Sequence, residues 1–84
     1  LHIIDIRLEP PGSGSTLARF DVQLTPELRL YNVKLIEGPR GRRVHAPHAF
    51  GANVATFAPA LADSLTRAAG AALASANSGV RNAA

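Results

Sequence analysis

Between Leu24 and Pro47 the chain reads LTPELRLYNVKLIEGPRGRRVHAP, and most of its chemically capable groups there are cationic. Arg40, Arg42 and Arg43 follow a Gly38–Pro39 step, His45 and His48 come next, and Lys34 precedes them. No Asp or Glu occurs between Glu37 and Asp63. A guanidinium meets phosphate or carboxylate through a planar, bidentate fork. An uncompensated arginine cluster at a turn is therefore a place to meet a phosphate backbone. A solvated turn can have the same composition, and it is the long carboxylate-free stretch that favours the functional reading.

Other chemistries find less support. His45 and His48 are separated by Pro47 in a stretch that reads as strand end and loop, and the chain has no cysteine. A metal site needs three or four ligands, so no metal and no cofactor is expected. Ser13 and Ser15 lie in a Gly/Pro-rich loop and Ser64 in a helix, with no nucleophile elbow and no Gly-rich phosphate loop followed by Lys. The chain is expected not to be an enzyme and to have no small-molecule substrate. Of the aromatic residues, Phe20 and Phe57 fall on apolar faces. Phe50 and Tyr31 either stack on bases or pack into a core or dimer seam.

These groups must be held by a small scaffold. A chain of 84 residues makes one domain that hides only roughly 60% of its unfolded surface. Without disulfides, association into a homodimer is the remaining way to enlarge the buried area. The formal charge is +3 and the pI about 10.7, and of the nine Lys and Arg residues all but Lys34 are arginine. No apolar run approaches the roughly 20 residues of a membrane span, and no signal peptide is visible. The absence of cysteine fits a cytoplasmic setting. The first residue is Leu1 rather than Met, from which a trimmed N-terminus is expected.

Period-two patterns predict the strands. Residues 3–8 put Ile4, Ile6 and Leu8 on one face and Asp5 and Arg7 on the other. A flexible loop follows over Pro10–Ser15. Residues 17–24 put Ala18, Phe20, Val22 and Leu24 inward, and Thr25-Pro26-Glu27 turns into an antiparallel strand over 28–36. In that strand Leu28 and Leu30 have one parity, Val33 and Leu35 the other. Either a bulge near Tyr31 and Asn32 restores the phase or both faces are covered. Gly38-Pro39-Arg40-Gly41 closes the next hairpin, with a short strand over 42–46. His48–Asn53 reads as loop with Gly51 and Asn53 as turn residues, and 54–57 as one more short strand.

Pro59 suits the first turn of a helix. Leu61, Leu65, Ala68, Ala72 and Leu73 form its apolar stripe, and Asp63 and Arg67 are spaced to pair. The helix is expected to end between Ala76 and Gly79. Strands followed by one helix argue an α+β fold, with a small antiparallel sheet of four to five strands and a C-terminal helix packed on it. The domain is taken as residues 1–76, with 77–84 a flexible tail. On the outer face Arg7, Arg19 and Arg29 stand among Asp5, Glu9 and Asp21, which argues cross-strand ion pairing there.

The order of these motifs resembles the SpoVG (stage V sporulation protein G) family. Its opening strand of the type V-T-D-V-R-L is matched by Ile3-Ile4-Asp5-Ile6-Arg7-Leu8. Its longer motif, L-D-x-x-F-V-V-x-D-I-R-V-I-x-G-x-x-G-x-F-V-A-M-P, is matched over Leu24–Pro47, with Leu35-Ile36-Glu37-Gly38 and Gly41 in step. The later F-x-D-I-x-H-P and helix correspond to Phe57, Pro59 and beyond. In place of the family's M-P-S-K stands Ala46-Pro47-His48-Ala49. The resemblance implies a homodimer built through the sheet, and sequence-preferring DNA binding, with RNA binding also, in bacterial transcription regulation. On this reading Arg40, Arg42, Arg43 and Arg67 contact phosphates, with Lys34 and His48 beside them. The competing expectation is a protein-interaction or structural dimer without a nucleic-acid role.

Overall fold

The alternation in the second strand organises the domain. In the computed structural model, which describes residues 1–83 apart from Pro11 and Ser13, Ala18, Phe20 and Val22 are wholly buried. They belong to β2 (Thr16–Thr25), which is flanked by β1 (His2–Leu8) and β3 (Leu28–Gly38), with β4 (Gly41–His45) beyond β3. All neighbours are antiparallel, and the sheet order is β1-β2-β3-β4. A separate two-stranded ribbon, β5 (His48–Ala49) and β6 (Ala52–Asn53), precedes the helix α1 (Pro59–Ala83). The fold is α+β, an antiparallel sheet with one C-terminal helix packed on one face.

The core joins Ala18, Phe20 and Val22 of β2 to Val33 and Leu35 of β3, Val44 of β4, and Leu65, Ala69 and Leu73 of α1. Burying a side chain such as Phe20 or Leu65 contributes about 1.5–3 kcal/mol each. On the helix the buried seam is Leu65, Ala69 and Leu73, with Leu61 and Ala62 packed at its edge; Ala68 and Ala72 are only half-buried. Ala62 lies near Val44, and Ala72 and Ala76 lie near Ile3 and Ile6, so α1 crosses the sheet from β4 towards β1.

Four register shifts interrupt the ladders, one between β1 and β2 and three between β2 and β3, and two of them decide which residues of β1 and β3 face the core. Val22 pairs with Leu30 and Phe20 with Val33, so β3 carries one extra residue between them. Asn32 within that step has a φ of 58°, a left-handed conformation that asparagine tolerates better than most residues. Of the two options for this strand, the bulge is the one adopted. In β1, Ile3 pairs with Val22 and Asp5 with Asp21, leaving Ile4 as an extra residue. Ile3 and Ile6 therefore pack against the core, while Ile4 is 42% exposed. The expected inward face of Ile4, Ile6 and Leu8 is corrected accordingly: only Ile6 packs on the core, and Leu8, though in phase with it, is also exposed.

The Thr25–Leu28 and Gly38–Gly41 hairpins form as expected. Three other elements differ from expectation. His48–Asn53 is a hairpin rather than a loop, and 54–57 is irregular rather than a strand. The helix continues through Gly79 to Ala83; an interior glycine costs only about 1 kcal/mol relative to alanine, and no proline follows to stop an alanine-rich helix. Asp63 and Arg67 form no ion pair among the described residues. Pro11 and Ser13 of the expected loop, and Ala84 of the expected tail, lie outside the described residues.

Candidate nucleic-acid interface

With α1 on one face, the opposite face of the sheet is open. Direct cross-strand partners share a face, and one row runs across every strand of the main sheet: Arg7 opposite Arg19, Arg19 opposite Lys34, and Lys34 opposite His45. At an interstrand spacing of about 4.8 Å the row spans about 14 Å. Arg43, two residues before His45, pairs with Ile36 and extends the same face towards the β3–β4 turn.

The two halves of this face differ in compensation. On the β1–β2 side the Arg7 Nη1 donates to Asp5 Oδ2 at 2.6 Å, and its two terminal nitrogens reach Asp21 at 3.0 and 3.2 Å. Arg7 Nη2 also donates to Asn32 Oδ1 at 2.7 Å, and Asp21 Oδ1 accepts the Asn32 backbone N–H at 3.0 Å. The Arg7 hydrogen bonds, and after them that backbone N–H, hold the Asp21 carboxyl below its ordinary value. The same carboxylates push Arg7 further up. Arg19 Nε donates to Glu9 Oε1 at 2.6 Å. Cross-strand ion pairing is thus what this half of the sheet does. Arg29 stands apart from it and donates to Gln23 Oε1 at 2.8 Å.

On the β3–β4 side, no carboxylate pairs with Lys34, Arg40 or Arg43 among the described residues. Arg43 and His45 are exposed and Lys34 is half-buried. A lysine stem lying along the sheet with its ammonium free is the usual way such a group covers apolar surface and still meets solvent. Arg40 is exposed in the β3–β4 turn.

The six residues singled out from the sequence do not form one surface. Arg42 has the opposite parity to Arg43; its Nη1 comes within 3.4 Å of where a Cβ on Gly70 of α1 would stand. Arg42 Nε also lies 3.8 Å from Glu37 Oε2, a long and exposed pair that contributes little. Arg67 is exposed on α1, two positions along the chain from each of the buried Leu65 and Ala69. At 100° per residue that places it on the side of the helix away from the sheet. His48 starts β5, and with His45, Val44 and Phe57 it lines a shallow hollow of about 190 Å³ beside Ala62. The histidines therefore sit at the opposite end of β4 from Arg40, about 13 Å along the strand. What the structure brings together is Lys34, Arg43 and His45; Arg40 is in the turn at the far end of the β3–β4 hairpin, on the Arg43 side.

His45, grouped with the arginines by composition, is absent from the phosphate contacts named from the sequence, which include His48 instead. The signal was available: Arg43 and His45 share a parity in a period-two strand. Among the described residues no three His, Asp or Glu side chains gather as a metal site would need, and no helix is long and apolar enough to cross a membrane. No family model, no curated protein and no solved structure matches the chain.

Proposed function

We propose that this protein binds nucleic acid without catalysing a reaction, through the β3–β4 half of its open sheet face. Lys34, Arg40 and Arg43 are the phosphate contacts, with His45 completing the patch. The observation that carries the reading is the asymmetry of the face: carboxylates engage Arg7 and Arg19, whereas Lys34 and Arg43 are left for an external anion. A sheet face with free cations tracks a phosphate backbone at little desolvation cost. The resemblance to the SpoVG family in motif order supports the same reading, and with it a homodimer acting in transcription regulation in a bacterial cytoplasm.

Fluorescence anisotropy of labelled oligonucleotides at low and moderate salt tests it. Each phosphate neutralised steepens the log–log salt dependence by about 0.9 on duplex DNA and about 0.7 on single strands. The Lys34→Ala/Arg40→Ala/Arg43→Ala variant should bind weakly and with a shallower slope. Unchanged binding by that variant rejects the site, and no binding by the native chain rejects the function.

A protein-interaction role draws on one separate observation. Edge strand β1 exposes Ile4 and Leu8, and Leu1 beside it is exposed as well, which suits pairing with another chain. Sedimentation of the folded protein across a range of concentrations, without nucleic acid, reads whether it associates through such an edge.

A further inference from the structure

The ribbon β5–β6 turns through Phe50 and Gly51, whose φ values are 55° and 73°. Two positive values at the central positions of a two-residue hairpin loop are the signature of a type I′ turn, where Asn-Gly and Gly-Gly are favoured. Gly51 meets that demand without a Cβ. Phe50 does not: a bulky residue in the left-handed region is an outlier. Among the described residues the other non-glycine residue with positive φ is Asn32, a type that suits the conformation and whose N–H is held by Asp21. Phe50 gains no comparable contact. Its relative exposure is 105%, so the ring packs on nothing among the described residues. A strained backbone carrying a fully solvated aromatic gives this domain no stability, and such strain is retained where a site uses it.

The surroundings define what the ring is for. Ala49, Gly51 and Ala52 flank it, and the exposed Val54 follows the end of β6, so the tip itself carries no second large apolar side chain. A bilayer or an apolar protein groove is better gripped by several such side chains. The segment that carries the ring has no carboxylate from Gly38 to Ala62. His48 at its foot lines the same hollow as His45, where the cationic row ends. An anionic partner that presents flat π-faces meets both features. We propose that Phe50 is a stacking platform for an unpaired base, which makes single-stranded DNA or RNA the substrate class of this protein. This rests on the nucleic-acid reading above: the cations hold the backbone and the ring takes a base from it.

The chain contains no tryptophan, so Phe50→Trp places one reporter at the tip. Anisotropy of labelled mixed-sequence single-stranded DNA, single-stranded RNA and duplex DNA is followed together with tryptophan emission. The emission is expected to be quenched by either single strand, saturating at the concentration at which anisotropy saturates, and to respond little to duplex. Phe50→Asn removes the ring and suits the turn. Its Tm should rise by a few degrees while its affinity for single strands falls about tenfold or more. That pairing of higher stability with weaker binding is one an unfolding artefact cannot produce. Single strands that bind without quenching, with Phe50→Asn binding as tightly as the native chain, overturn the role of Phe50 and leave the cationic face standing. Quenching by duplex alone overturns the single-strand assignment. Emission that shifts on phosphatidylcholine vesicles and ignores oligonucleotides overturns it in favour of lipid. If the native chain binds none of the three oligonucleotides, the reading beneath it fails as well.

Discussion

The Asp21 carboxylate accepts the backbone N–H of Asn32 at 3.0 Å. One residue of β2 thereby holds the left-handed step that lets β3 change phase. The same carboxylate takes both terminal nitrogens of Arg7, so a single group ties β1, β2 and the β3 bulge together. Without that bulge, Leu28 and Leu30 would share a face with Lys34 rather than with Val33 and Leu35.

Asp21→Ala should therefore cost more than an ordinary surface substitution. It leaves Arg7 without its bidentate partner and the Asn32 N–H without an acceptor. Hydrogen bonds to charged groups contribute about 1.5–3 kcal/mol, and partial exposure of the pair trims the ion-pair component. The expected loss is about 1–2.5 kcal/mol by urea unfolding. Asp5→Ala, which removes an exposed neighbour from the same guanidinium, should cost under about 0.5 kcal/mol. Equal costs would mean that Asp21 does not support the bulge.

The acid limb of stability should carry the same signature. Asp21 sits below its ordinary value of 3.8 because Arg7 and the Asn32 N–H favour its charged form, with Arg29 adding a smaller attraction. As pH falls, the unfolded chain takes up this proton first, so protonation favours unfolding. The stabilisation is complete above the unfolded value near 3.8 and is lost as pH drops through the lower, folded value. Tm measured from pH 6 to pH 2 should fall less steeply in Asp21→Asn than in the native chain below about pH 4. Parallel curves would remove Asp21 as the source.

Much of this scaffold is readable from alternation alone. Ala18, Phe20 and Val22 recur at every second position and are buried together, and the mismatch between Leu30 and Val33 left a bulge near Tyr31 and Asn32 or two covered faces, of which the bulge forms. In β1 the extra residue Ile4 is invisible to pattern, because Ile3, Ile4 and Ile6 are all apolar and any two of them can be the inward pair. The paired half of the outer face was legible from the mixture of Arg7, Arg19, Asp5, Glu9 and Asp21. Of the proposed contacts, Lys34, Arg40 and Arg43 were named from composition; Arg42 was named with them because it reads as one cluster with Arg43 in a list of letters, whereas the two lie on opposite faces in a strand. Phe50 was named as a base-stacking or packing residue, but the hairpin that carries it was hidden: turn chemistry expects Asn or Gly at its position, and Phe-Gly is no hairpin signal.

Gly70 offers a test of how Arg42 meets the helix. A Cβ there would stand 3.4 Å from Arg42 Nη1, the far end of a flexible side chain. That nitrogen can move at little cost, while alanine in a helix interior gains up to about 1 kcal/mol over glycine. Gly70→Ala is expected to stabilise the protein by about 0.5–1 kcal/mol in urea unfolding. Gly70→Leu brings a longer side chain into the volume of the guanidinium and should return most of that gain. A destabilised Gly70→Ala would show that Arg42 is held against α1 more firmly than its long contact with Glu37 implies.

Charge reversal at two positions separates the open sheet face from the helix. Lys34 stands opposite His45 and diagonal to Arg43 on the open face, whereas Arg67 lies on the far side of α1, with the helix and sheet between them. If nucleic acid runs along the open face, Lys34→Glu replaces an attraction by a repulsion at the centre of the patch. Its affinity at low salt should fall by at least about tenfold, with the salt slope reduced by about one phosphate contact or more. Arg67→Glu makes the same change in net charge, so any general effect of overall charge appears equally in both. Its affinity should stay within about twofold to threefold of native, the residue being beyond the screening distance of about 10 Å at 0.1 M salt. Anisotropy titrations of both variants against one oligonucleotide decide between a face and a diffuse cationic field. Equal losses would mean that the chain is drawn to nucleic acid by net charge, and a loss confined to Arg67→Glu would move the interface to the helix.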